Sequence, residues 1–279
     1  MPSEEDSQFI EELREALPSD YALDGFLCAG GQGAVFRGSV NGEEAALKLL
    51  YPETDPDFER INRELPLLQR IESTHLVQVL DHCEVNLPSG PTRVVAYKFI
   101  SGGDLSRCLT GDAEPMTELE LLRLGHHVST AVQALLSHRI VHRDIKPANI
   151  MRDRESYILV DVGVARHLDR TDLTAVGGAV GTRGYMSPEQ ARGRRSLSVS
   201  SDVFSLGLTL YHLATRQHPF ENSQSNINNP DYRPLPMQQH RPDLSEPLCR
   251  LVHEMVTYSA PRRPTQVHDR FARLLASAQ

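Results

Sequence analysis

Cysteine is scarce in this 279-residue chain, and none of the four, Cys28, Cys83, Cys108 and Cys249, stands in a CxxC pair or beside a histidine at metal-ligand spacing. Neither a disulfide framework nor a structural zinc site is expected, and free thiols in a reducing compartment are. No apolar run approaches the ~18 residues of a membrane helix. The opening MPSEEDSQFIEELREALP is acidic and has no signal-peptide core. Cytoplasmic localisation without membrane insertion follows as the expectation. Basic residues are not massed either: 29 Lys and Arg face 37 Asp and Glu, for a net charge of −8, and the densest basic cluster, Arg192, Arg194 and Arg195, is short. A nucleic-acid backbone or an anionic membrane surface as main partner needs a concentrated basic face, so neither is expected. No internal repeat is present. What remains, 39% hydrophobic and 24% charged residues, is the composition of a globular protein with a real core.

The pattern changes along the chain. Phe9, Ile10, Leu13 and Leu17 stand at helical spacing, with Glu4, Glu5 and Asp6 at the helix start and Pro18 at its end. From Tyr21 the texture is that of strands: ALDGFLCAGG, AVFRGSV and EEAALKLL, the last two joined by Asn41-Gly42, a strong hairpin signal. The first hairpin loop is then the glycine-rich stretch 30–33. A charged helix over 55–72 carries Pro66, which removes a backbone bond and predicts a kink or early break. Two strands follow, HLVQVLDHCEV and TRVVAYKFI, joined by NLPSGP. Thr117 and Glu120 have capping-box spacing ahead of a helix over 118–138, whose stripe is Leu121, Leu124, Val128, Ala131, Val132 and Leu135. The stretch 162–189 reads as a loop, 201–215 as a buried helix, and 245–257 and 266–278 as two closing helices. The fold class is therefore α+β: a small β-rich lobe with one main helix, then a larger helical lobe, with a ligand pocket expected where two lobes meet.

Between the helix 118–138 and the apolar run Tyr157 to Val160 stands HRDIKPAN, residues 142–149. It sets a carboxylate, an ammonium and a carboxamide, Asp144, Lys146 and Asn149, at fixed spacing where Pro147 forbids a continuing helix. A loop carrying three such groups after a rigid element is placed for chemistry.

With HRDIKPANIM and GTRGYMSPEQARG in this order, residues 21 to about 270 resemble a eukaryotic-like Ser/Thr protein kinase, in the form found in soluble bacterial members. The resemblance implies a bilobal catalytic domain over 21–275, with 1–20 a helical extension, 21–100 the N-lobe and 101–279 the C-lobe. It implies ATP with Mg²⁺, or Mn²⁺ in its place, protein substrates, and a transient homodimer for autophosphorylation in trans. By the same resemblance Asp144 is the catalytic base, Lys146 neutralises charge on the transferred group, and Asn149 and Asp161 ligate the metal. Lys48 would hold the phosphates and Glu64 would tether it. Gly30, Gly31 and Gly33 would line the phosphate loop. Leu27, Val35, Ala46 and Met151 would sandwich adenine, and backbone groups of Lys98 and Ile100 would bind its edge. Tyr97 would be the gatekeeper and Asp104 would bind the ribose. Thr171 and Thr174 would be loop phosphorylation sites read by Arg143, while Thr182 would contact Asp144 and Lys146. Glu189 with Arg263, and Asp202, would be scaffold.

Two positions depart from the family pattern. Cys28 stands where the first loop glycine belongs, and is either a reactive thiol or a passive strand residue. Val162 stands where the family has Phe, a loss of about 1–2 kcal/mol of buried area. These departures keep open a pseudokinase that binds nucleotide as a scaffold, and a small-molecule phosphotransferase is a third reading. The lysine, base and both metal positions stand, which favours the kinase. If Val162 loosens the switch between active and inactive states, Val162→Phe raises the basal phosphotransfer rate; an unchanged or lower rate overturns that account.

Overall fold

The computed structural model describes residues 4–30, 33–50, 59–111, 113–162, 183–193 and 197–278. They divide into two compact units: one runs to Ser101 except for Glu72–Leu76, which join the residues from Gly102 onward in the second. The first unit opens with α1 (Glu4–Ala16) and holds a five-stranded antiparallel sheet, in the order β1-β2-β3-β5-β4, from β1 (Tyr21–Gly30), β2 (Gly33–Val40), β3 (Glu43–Leu50), β4 (Val79–Leu87) and β5 (Gly90–Lys98). Helix α2 (Glu59–Leu68) stands between β3 and β4. Asn41 and Gly42 both take positive φ, 51° and 79°, as the tight turn between β2 and β3 requires.

Alternation gives the sheet two unlike faces. In β3, Ala45, Leu47 and Leu49 are buried while Ala46 and Lys48 are half-buried. The buried face continues through Phe36, Val94 and Ala96, and α1 closes it with Leu13, backed by Phe9, Ile10 and Leu17. The acidic N-terminal helix is thus part of the first unit's core.

Three expectations are corrected here. The run 75–85 is not one strand: pairing with β5 begins at Val79, and Leu76 bridges Leu159 of the second unit instead. Leu76 and Val77 are buried in succession, which a strand with one covered face does not allow. Helix α2 stops at Leu68 rather than at 72, where the chain tightens through Arg70 N–H to Leu67 O and Ile71 N–H to Leu68 O, and it passes through Pro66, which lacks only the bond to the preceding turn; residues 55–58 of that expected helix lie outside the described residues. The connector NLPSGP shrinks to Pro88 and Ser89, since Leu87 already pairs with Gly90.

The second unit is built on α3 (Glu118–Ser137), entered through the expected capping box: Glu120 N–H donates to Thr117 Oγ1 (3.3 Å) and Thr117 N–H to Glu120 Oε2 (3.0 Å). A short hairpin follows, β6 (Ile150–Asp153) with β7 (Ser156–Leu159). Then come α4 (Pro188–Ala191), α5 (Val199–Thr215), two short helices in the Pro- and Asn-rich stretch, α6 (Gln224–Asn228) and α7 (Met237–His240), and α8 (Glu246–Met255) and α9 (Val267–Ser277). Helix α5 is buried on almost every side, as its apolar sequence demands, and α3 packs against α5 and α9.

Two histidines hold β7. The rings of His75 and His127 stack at 3.9 Å, Tyr157 N–H donates to His127 Nδ1 (3.2 Å), and His75 Nδ1 lies 3.3 Å from Tyr157 O. Only an unprotonated Nδ1 accepts an amide N–H, so His127 is neutral with its proton on Nε2. Burial, then the neighbouring His75, His126 and Arg123, lower its pKa from 6.5 to about 4; burial also lowers that of His75. An unfolded histidine binds a proton below 6.5 and the native one does not until near 4, so across that window the unfolded state holds more protons and stability falls as pH falls. The urea midpoint is expected to drop between about pH 7.5 and pH 5. His127→Gln should lose less over the same interval; an equal loss would remove His127 as a source of the pH dependence.

Candidate functional site

The site residues of the first unit share one sheet face. Cys28 pairs with Val35, Val35 with Lys48 and Lys48 with Val95; in the next row Arg37 pairs with Ala46 and Ala46 with Tyr97. Directly opposed residues project from the same side, so Val35, Ala46 and Lys48 stand together on the face that α1 does not cover. Leu27 falls in a bulge of β1, between the Phe26 and Cys28 pairings. Gly33 has a reason of its own: a Cβ there would lie 2.0 Å from Leu49 O, so the neighbouring strand already forbids a side chain. At Gly30 a Cβ would meet nothing within 4 Å. The amide of Lys98 donates to Gln78 O (2.9 Å) and that of Phe99 to Glu44 O (3.3 Å), while Ile100 N–H has no such bond among the described residues. Gly31, Thr171, Thr174, Thr182 and the side chain of Glu64 lie outside the described residues.

In the second unit, HRDIKPAN leaves helix geometry as Pro147 requires and ends in the 3-10 turn Pro147–Asn149. Asn149 Nδ2 donates to Asp144 O (2.8 Å) and to Asp144 Oδ2 (2.9 Å), and Lys146 Nζ lies 3.1 Å from that same Oδ2. Asp144 is 6% exposed, so the carboxylate is held by an amide and an ammonium with little water. Both amide hydrogens of Asn149 are committed, which leaves its Oδ1 as a hard oxygen donor. The N–H of Val160 donates to Asn149 O (2.9 Å), tying the loop to the residue before Asp161, which takes φ +62°. Nearby, Met151 bridges Asp104. That approach needs Gly102, where a Cβ would lie 1.9 Å from Arg152 O. Asp104 is also an N-cap: its Oδ1 accepts from Ser106 N–H (2.9 Å) and from the Ser106 hydroxyl.

What fixes this loop is a buried acid. The Asp202 carboxylate accepts the N–H groups of His142 and Arg143, each at 2.8 Å. Complete burial raises its pKa, against which the two amides and the charge of Arg143 act. Arg143 takes φ +71°, a conformation that would cost a free residue energy and that the two bonds hold in place. His142 Nε2 lies 3.0 Å from Val160 O and so carries the proton; its Nδ1 accepts from Asp144 N–H (3.3 Å).

A second anchor ties in the SPEQ segment. Glu189 receives Arg263 through two bonds, of 2.6 and 3.0 Å, and the Ser201 hydroxyl at 2.8 Å. Burial pushes the Glu189 carboxyl up, but the bonds and charge of Arg263, with Ser201, hold it below its usual value. Sequence reasoning missed Gln190. Its Nε2 donates to Arg143 O (2.8 Å) while its Oε1 caps α4 at Ser187. The spacing S-x-x-Q signals the cap; nothing in it signals the bond to Arg143.

A lysine-bearing antiparallel sheet followed by a helical unit with this Asp-Lys-Asn loop is the architecture of the protein-kinase class. Residues 21–275 match the family described as protein kinase domain, and the chain belongs to that family. It is 31% identical over 230 residues to the "Serine/threonine-protein kinases PknA" of Corynebacterium glutamicum, covering 80% of this chain and 49% of the relative. To the "Probable serine/threonine-protein kinase PkwA" of Thermomonospora curvata it is 34% identical, covering 92% and 34%. The chain thus spans half or less of the length of these curated relatives. The crystal structure of the Mycobacterium tuberculosis PknI kinase domain shares the fold, with TM-score 0.71 at 21% identity over 95% of this chain and 98% of that one. No described helix is long and apolar enough to cross a membrane.

Removing one partner of a buried ion pair strands the other. Arg263→Ala should therefore lower unfolding stability by about 3–5 kcal/mol, read from the urea midpoint; a loss below about 1 kcal/mol, the range of an exposed pair, would show that Glu189 finds another partner.

Proposed function

We propose that this chain is a protein serine/threonine kinase, transferring the γ-phosphoryl group of ATP to hydroxyl groups of protein substrates, with residues 21–275 as the catalytic domain and 1–20 as an extension. The observation that carries the reading is the Asp144 carboxylate held by Asn149 and Lys146. Asp144 orients the acceptor hydroxyl and takes its proton. Lys146, 3.1 Å away, sits where it offsets negative charge beside that carboxylate. Lys48 holds ATP phosphates and Glu64 tethers Lys48. Val35, Ala46, Leu27 and Met151 contact adenine, with the Lys98 carbonyl and the Ile100 amide at its edge and Asp104 toward the ribose.

The donor set fits a hard divalent cation bound chiefly by its nucleotide. Among the described residues no group of three or more His, Cys, Asp or Glu could hold a metal alone. Asn149 Oδ1 and Asp161 would supply the few oxygens that Mg²⁺ takes from protein when phosphates supply others. When bound, the cation offsets phosphate charge. Thr171 and Thr174 are the autophosphorylation sites. In support, Arg143, the expected reader of a loop phosphate, has a buried Nε with no hydrogen-bond partner among the described residues. Trans-autophosphorylation implies a transient homodimer. The chain is cytoplasmic and its substrates are proteins rather than nucleic acid, consistent with the net charge of −8.

Incubation with labelled ATP and Mg²⁺ should label the wild type, with phosphate on Thr171 or Thr174. Asp144→Asn should reduce the rate about 10²–10⁴-fold. Equal labelling of both proteins would reject Asp144 as the base, and labelling of neither would reject the kinase reading.

A further inference from the structure

The helical unit contains a concave site lined by residues outside the catalytic loop. A cavity of about 360 Å³ lies between α5, the segment 229–234, the end of α8 and the 3-10 turn Ala260–Arg262. That is within the size range of ligand pockets. Its floor is apolar and largely aromatic: Phe204, Phe220, Ile227 and Val256 are all nearly fully buried. The Phe204 and Phe220 rings lie 5.9 Å apart, and Phe220 and Tyr232 5.5 Å.

Its rim carries one sign of charge. Arg233, Arg262 and His253 line it and are exposed, and no Asp or Glu is among the lining residues. This is against the trend of a chain with 37 acidic and 29 basic residues. Elsewhere in the same unit Arg123, Arg152, Arg241, Arg250, Arg263 and Arg270 each meet a carboxylate, while Arg107, Arg139, Arg154, Arg216 and Arg273 meet none among the described residues, so what marks the rim is that its unpaired arginines border one apolar cavity. At this rim the Arg233 side chain reaches only the backbone oxygens of Pro230 and Tyr232, and the Arg262 side chain makes no hydrogen bond or ion pair among the described residues. Arg192 adds a third guanidinium, stacked 5.0 Å from the Tyr258 ring that also lines the cavity. Two acids stand nearby: Glu221, which raises the pKa of the Tyr232 hydroxyl after burial does, and the exposed Asp231.

From this we infer that the cavity docks a segment of a partner protein that presents one aromatic side chain between acidic residues. The ring would enter against Phe204, Phe220 and Tyr232, where edge and offset contacts add to the burial of apolar area. Its flanking carboxylates would meet Arg233 and Arg262, which come from different elements and offer the planar donors that carboxylates match. An anchor in a pocket with a charged rim is a usual arrangement for a short recognition segment. The docking requires no phosphoryl transfer, so it stands or falls separately from the proposed activity.

The test is fluorescence anisotropy with the whole chain and a fluorescein-labelled peptide, Asp-Glu-Phe-Glu-Asp, blocked at its C-terminus. Saturable binding is expected. Phe→Ser in the peptide, and the Arg233→Glu, Arg262→Glu double variant of the protein, should each weaken it at least about tenfold. Both arginines are exposed, and an unchanged thermal midpoint of the double variant would show that the fold persists. Labelling with ATP by that variant, at the wild-type level without peptide, would separate docking from turnover. The inference is overturned by absence of saturable binding, by equal binding to the double variant, by equal binding of the Ser peptide, or by displacement with free phenylacetate at concentrations no higher than those of the peptide.

Discussion

The geometry of the Asp-Lys-Asn loop depends on the carboxylate of Asp202. That carboxylate is buried completely, and it spends both oxygens on backbone amides rather than on a side-chain cation. A buried charge without good partners is costly, so the chain segment that supplies those amides is pinned wherever α5 puts the carboxylate. The consequences run in sequence. His142 and Arg143 are fixed, the imidazole of His142 joins Asp144 N–H to Val160 O, and Asn149 then cross-links Asp144 to the end of β7. The loop is irregular in conformation yet over-determined by hydrogen bonds, which suits a site needing fixed geometry.

The first unit answers a different constraint. Both faces of the sheet carry apolar residues, and Val95 and Tyr97 are buried on the face of Lys48, so the faces differ in what their strands set beside those residues rather than in being wet or dry. Alternation in β2, β3 and β5 sorts Phe36, Leu47 and Ala96 to one side and Val35, Ala46 and Lys48 to the other. The placement of Lys48 is therefore a by-product of the same pattern that builds the core, and a one-residue slip in β3 would send it to the side of Leu47.

Much of this was legible in the residues themselves. Asn41-Gly42 marked its hairpin, Thr117 and Glu120 marked the start of α3, and HRDIKPAN marked a fixed polar loop, because each is a local code whose physics acts within a few residues. The illegible parts are those set by distant contacts. His75 and Leu76 read as strand, since nothing local says that β7 will pair with them in place of β5. Gly33 read as a phosphate-approach glycine, and its immediate reason is the carbonyl of Leu49. Gln190 carried a visible capping signal, but its bond to Arg143 O joins positions 47 apart in sequence.

Helix α1 precedes the stretch that matches the family, yet it closes the apolar face of the sheet. A fragment cut to the family boundaries would begin at Tyr21 and lose Leu13, Phe9, Ile10 and Leu17 from the cluster that holds Phe36, Leu47, Leu49 and Ala96, opening apolar surface to water. Contiguous apolar surface of that kind drives self-association. The practical limit of a well-behaved recombinant domain is therefore drawn by Leu13 and its neighbours, and lies ahead of the limit drawn by family resemblance.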